Sequence, residues 1–226
     1  MTKNEISSKS GVILSQNAAL LAFLGAVAFL VLLTILHVLE PEFNPLWRLI
    51  SEYELGYYGW MMSLAFISFS VSIFALIVAI RSYVKTTVGR IGLAMLSIIG
   101  AALIGAAIFI TDPITTPANA FTTSGNLHNL CGVIVILGFP ITITLIGRSL
   151  AKNQAWASIR RRILWITAMV WSGLFVFYGS YIIFMMGKSG IGPDVLIGWP
   201  NRYLIVVYIL WVMIVAGYTR WRASMS

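Results

Sequence analysis

Charge is what this chain has least of. Lys and Arg number 15 and Asp and Glu 7 among 226 residues, a charged share of 10%, against about a quarter in soluble domains. So few charged side chains cannot cover the surface of a water-soluble fold of this length, which excludes that class. The basic residues are also too dispersed to form a phosphate-binding stripe, so no nucleic-acid partner is expected. One cysteine, Cys131, excludes an intramolecular disulfide and a cysteine-rich metal cluster. Histidine occurs twice, as His37 and His128. What fills the chain instead is apolar: 59% of residues. That share excludes disorder and points to a multipass membrane protein whose main partner is the lipid bilayer.

The intervals between charges divide the chain into spans, because a helix needs about 20 apolar residues to cross the hydrocarbon layer. They predict helices over approximately 18–38, 58–80, 91–110, 127–146, 163–186 and 202–219. The fold class expected is therefore all-α: a six-transmembrane-helix bundle forming a single integral membrane domain over residues 1–226. The first apolar stretch is longer than the roughly 7–15 residues of a signal-peptide core, and no small-residue cleavage site follows it. It is expected to be a retained helix.

Basic residues set the orientation. With the N-terminus inside, the cytoplasmic segments hold Lys3, Lys9, Arg81, Lys85, Arg90, Arg148, Lys152, Arg160, Arg161, Arg162, Arg220 and Arg222, leaving only Arg48, Lys188 and Arg202 outside. The acids divide the other way: Glu40, Glu42, Glu52, Glu54, Asp112 and Asp194 are outside and Glu5 inside. Both termini are expected in the cytoplasm. The run Ile159-Arg160-Arg161-Arg162 could meet anionic headgroups, although its first role is to fix topology.

Lipid supplies no hydrophobic drive between helices, so close packing calls for small residues. Ser97, Ala101 and Gly105 recur every four residues on the third span, and Ser68 and Ser72 do so on the second. In the first outer loop, Asn44-Pro45 reads as a helix start and Gly56 as its stop. Between them a short interfacial helix is expected to lie along the membrane with its apolar side down. Arg48 and Glu52 are then surface neighbours one turn apart.

No ionisable residue is expected deep in the membrane, which argues against a proton relay or ion pathway. The candidate site is instead an outer-face polar cluster of His37, Ser51, Glu52, Asp112, His128 and Arg202. The stretch Ile50-Ser51-Glu52-Tyr53-Glu54-Leu55-Gly56, with His37 before it and Thr111-Asp112-Pro113, Gly125 and His128 after it, resembles the bacterial and archaeal multipass membrane proteins grouped as domain of unknown function 998. The resemblance implies a helical protein of the prokaryotic plasma membrane. By it, Ser51, Glu52, Gly56, Asp112 and His128 are signature positions, and no catalytic role comes with them.

Three uses of the cluster follow from its chemistry. A non-catalytic binding, accessory or lipid-handling protein would use it to hold loops and to recognise a lipid or small molecule at the outer leaflet. A metal-dependent membrane hydrolase would bind a metal through His37, Asp112 and His128 and activate water. The chain departs from the alkaline-ceramidase-like hydrolases, which use three histidines, in having two and no His-x-x-x-His pair. A bis-histidine haem protein would ligate iron through His37 and His128. The residues by themselves name no cofactor.

Overall fold

Six helices account for nearly all of the fold in the computed structural model, which describes residues 3–187 and 192–223. They are α1 (Lys3–Leu39), α2 (Gly59–Ile80), α3 (Thr87–Ile108), α4 (Thr123–Lys152), α5 (Arg160–Gly187) and α6 (Gly198–Ala223). All six contain a stretch long and apolar enough to cross a membrane, and no strand occurs among the described residues. Lys188, counted above among the outer basic residues, lies outside the described residues.

The helices outrun the apolar intervals that predict them. α4 continues through Arg148 to Lys152, and α6 begins at Gly198 rather than near Arg202. A charge ends an apolar run, but caps and turn residues end a helix. Thr86 starts α3 by accepting the Gly89 N–H on its hydroxyl at 3.1 Å, and Thr122 starts α4 by accepting that of Gly125 at 2.9 Å.

α1 packs on α2 and α6, α3 on α2 and α4, and α5 on α4 and α6, so the helices close a ring in chain order. On α1 the buried face runs Ala19, Ala22, Ala26, Phe29, Leu33 and Leu36, at alternating steps of three and four residues. Its exposed face carries Leu21, Leu24 and Val31. A helix apolar all round suits a neighbour of lipid. Hydroxyl and indole groups then tie helix to helix. Ser72 Oγ donates to the Ala22 carbonyl at 2.5 Å, Ser70 to Gly100 at 2.7 Å, and Trp211 Nε1 to Thr167 Oγ1 at 3.0 Å. Such bonds contribute about 0.6 kcal/mol each on average in a bilayer.

The seam on α3 differs from the expected one. Ala101 is exposed, Ser97 and Gly105 are half-buried, and the buried positions are Gly89, Gly92, Leu96, Ile99, Gly100, Ala102, Leu103 and Ala106. Gly105 still packs against Cys131 of α4, and small residues occur on several faces of this helix, so their four-residue spacing locates the seam only in part. The α2 seam at Ser72 holds.

The first loop also differs. Its helix is a six-residue 3-10 helix, Ile50–Leu55, that starts after Leu49 rather than Asn44 and stops at Gly56 as expected. Ile50, Glu52, Tyr53 and Glu54 are buried in the end of the bundle. The segment is a plug, not a raft with its polar side in water.

Candidate functional site

Arg202 stands in the first turns of α6 with only 4% of its surface exposed. Its Nε donates to His37 Nε2 at 2.7 Å and its Nη1 donates to the carbonyls of Arg48 at 2.7 Å and Gly198 at 3.1 Å. Nη2 reaches the Tyr53 hydroxyl at 3.4 Å, and the guanidinium carbon sits 5.8 Å from that ring's centroid. His37 Nδ1 donates to the Leu33 carbonyl at 2.7 Å. Because a carbonyl only accepts, Nδ1 carries the hydrogen and Nε2 offers its lone pair to Arg202. Both ring nitrogens are thereby used.

Glu52 holds two loops. Its Oε2 accepts the Leu49 N–H at 2.9 Å and its Oε1 accepts the Ile114 N–H at 2.8 Å, bringing the second loop down onto the first. Arg48 Nε lies 3.3 Å from Oε1, close enough for an ion pair but poorly aligned for a hydrogen bond. The expected one-turn pair is therefore present, but Glu52 is 1% exposed and the pair is no surface bridge. Burial raises the carboxyl's pKa, partly offset by the Ile114 N–H and Arg48.

Asp112 sits at the start of α4. It accepts the Thr122 N–H at 2.8 Å and the Thr122 hydroxyl at 3.1 Å. A side chain at Gly125 would collide with this carboxylate, as one at Gly56 would with that of Glu40. Both glycines thus make room for an acid. Glu40 Oε1 accepts the Tyr58 N–H at 2.5 Å.

His128 Nδ1 donates to the Phe109 carbonyl at 2.7 Å and lies 3.3 Å from Glu54 Oε2. Glu54 also accepts the Thr111 N–H at 3.2 Å. Glu54, Glu40, Tyr53 and Asn201 were not among the residues singled out by sequence. Their partners lie across the chain, as Glu54 and His128 do, and no local spacing announces them. The one available signal was the alternation of Glu52 and Glu54 within so acid-poor a chain.

Apart from Ser51, the expected site residues thus gather in four knots, the first two linked through the Arg48 carbonyl that Arg202 holds. Arg202 and His37 share one, Glu52 and Arg48 a second, Asp112 and Thr122 a third, His128 and Glu54 a fourth. No three His, Cys, Asp or Glu side chains group as metal ligands among the described residues. His37, Asp112 and His128 are not brought together.

Beneath these knots lies a cavity of about 380 Å³, within the usual range of ligand pockets. Phe29, Phe66, Phe69, Leu103, Phe177 and Ile205 from five helices make its apolar wall, and α4 adds Val135 and Ile136. Ser51, His128, Asn129 and Asn201 line it as well, on the elements that carry the knots. Three lining residues are exposed, Asn129 and Val133 on α4 and Tyr181 on α5, so the cavity reaches the bundle surface between those helices. Of the six expected residues, only Ser51 and His128 line it.

Burial pushes the Glu54 carboxyl up to about 8, from 4.5, against the opposing pull of the Thr111 N–H and the Ser63 hydroxyl. Between those values the folded protein binds more protons than the unfolded chain. The stabilisation is fully present below pH 4.5 and is lost as pH rises to about 8. Glu40 and Glu52 shift the same way, also through burial. The Glu54 contribution to stability in detergent is expected to fall from pH 5 to pH 8 by the equivalent of a few kcal/mol, so the melting-temperature slope of the unsubstituted protein should be more negative than that of Glu54→Gln. An unchanged slope in the variant would remove Glu54 as its source.

Architecture and composition together define a multipass helical membrane protein with a polar cluster at one end. The family model described as a protein of unknown function, DUF998, matches residues 23–218, and the chain belongs to that family. No curated protein and no solved structure matches it.

Proposed function

We propose that this protein is a non-catalytic, lipid-handling or small-molecule-binding protein of a prokaryotic plasma membrane, with both termini in the cytoplasm. The cavity between α4 and α5 is the binding place, and it opens toward the outer leaflet. A lipid chain or similarly apolar molecule lies against Phe66, Phe69 and Phe177, its polar end beside Ser51, Asn129, His128 and Asn201. The cavity itself carries this reading: its wall is mostly apolar, it reaches the bundle surface between α4 and α5, and Ser51, His128, Asn129 and Asn201 give it polar groups. The four knots support a framework role for the cluster, since each ties loop backbone and leaves few groups for chemistry. Orientation rests on the basic residues, which lie overwhelmingly at the end opposite the knots.

Gly132 offers a test, because it lines the cavity and a Cβ there would meet no atom within 4 Å. Gly132→Phe is expected to fill the space, keep thermal stability within about 1 kcal/mol, and abolish the lipid adduct seen by native mass spectrometry after purification in mild detergent. Undiminished adduct in a folded Gly132→Phe variant would overturn the proposal.

A further inference from the structure

The end of the bundle away from the knots has a cleft of its own. About 700 Å³ in volume, it lies between the start of α3, the last turns of α4 and the start of α5. Arg148, Lys152 and Arg160 line it together with the buried Ser149 and the apolar Leu145 and Leu164. A second groove, of about 370 Å³, continues along α5 past Arg161, Leu164, Trp165 and Ala168, sharing Arg160 and Leu164 with the first. Among the described residues, none of these four cations forms an ion pair, and all four side chains are exposed. Cations could fix topology from any position in these loops. Topology does not require them to line one cleft, nor that cleft to run into an apolar groove beside a tryptophan.

We infer that this cleft binds an anionic phospholipid, with the headgroup phosphate between Arg148, Lys152 and Arg160 and an acyl chain along Leu164, Trp165 and Ala168. Charge and shape agree on this occupant. The cations supply what a phosphate needs, and the adjoining groove supplies what a free phosphate would not use. The site is separate from the cavity under the knots and does not depend on the reading given to that cavity.

The protein reconstituted in nanodiscs of mixed phosphatidylglycerol and phosphatidylcholine is released and examined by native mass spectrometry. Phosphatidylglycerol adducts should predominate. Each of Arg148→Gln, Lys152→Gln and Arg160→Gln should cut that preference about five-fold, whereas Arg220→Gln and Arg222→Gln, outside the cleft, should leave it intact. Inorganic phosphate in excess should not displace the lipid. Three outcomes would overturn the inference: equal retention of the two lipids, an equal loss in the Arg220→Gln and Arg222→Gln controls, or full displacement by phosphate, which marks a plain anion site. Melting temperatures of the variants, read alongside, exclude misfolding as the cause of a lost preference.

Discussion

Arg202→Ala should destabilise the protein more than removal of any other single charge, by roughly 2–4 kcal/mol. The side chain reaches four partners on three different segments: His37 at the end of α1, the Arg48 carbonyl and Tyr53 hydroxyl in the first loop, and the Gly198 carbonyl in its own helix. Alanine strands the His37 lone pair and removes the donor that two carbonyls share, in a place too enclosed for ready replacement by water. Arg202→Lys should recover only part of the loss, since one ammonium cannot present Nε and Nη donors in fixed directions. Arg48→Ala should cost much less, because the Arg48 side chain is partly exposed and Glu52 keeps two backbone N–H donors without it. The check is thermal denaturation in detergent. A loss below about 1 kcal/mol for Arg202→Ala would mean that water takes over its bonds and that the knot does not hold this end together.

That result would also show which parts of the molecule can be read from sequence. Spans are legible because lipid imposes one requirement on every residue between two charges, and six intervals yielded six helices. The 3-10 plug is less legible. Asn44-Pro45 carries the local chemistry of a helix start, yet the helix begins after Leu49, because Glu52 and Asn201 claim the backbone N–H groups of Leu49 and Ile50. Asn201 lies in α6, far along the chain, so the outcome is decided by tertiary contact. His128 was legible as a rare polar residue at a span boundary. Its neighbour Glu54 was not, since only the folded ring of helices puts the first loop against the start of α4. The cavity was least legible of all. Its walls are ordinary span phenylalanines and aliphatic residues, and nothing in their spacing distinguishes a packed seam from an unfilled space.

A single methyl group at residue 198 should have a comparable effect from the opposite direction. Gly198→Ala would place its Cβ against the Pro45 carbonyl, 2.8 Å from the Arg48 carbonyl oxygen and 2.9 Å from the Leu46 carbonyl carbon. All three are backbone atoms, so no rotamer change relieves the overlap, and the first loop must lift from α6. Lifting it breaks the bond from the Gly198 N–H to the Leu46 carbonyl, at 3.0 Å, and withdraws the Arg48 carbonyl from Arg202. A cost of about 2–3 kcal/mol is expected. Gly217→Ala, on the same helix with nothing within 4 Å of its Cβ, should instead be neutral or stabilising by up to about 1 kcal/mol. Because Gly198 and Arg202 grip the same stretch of loop, their losses should not add. The double variant Gly198→Ala/Arg202→Ala is expected to fall short of the sum by at least 0.5–1 kcal/mol in a thermodynamic cycle. Full additivity would mean that loop and arginine are held independently, and that the tie between α6 and the plug is two contacts rather than one knot.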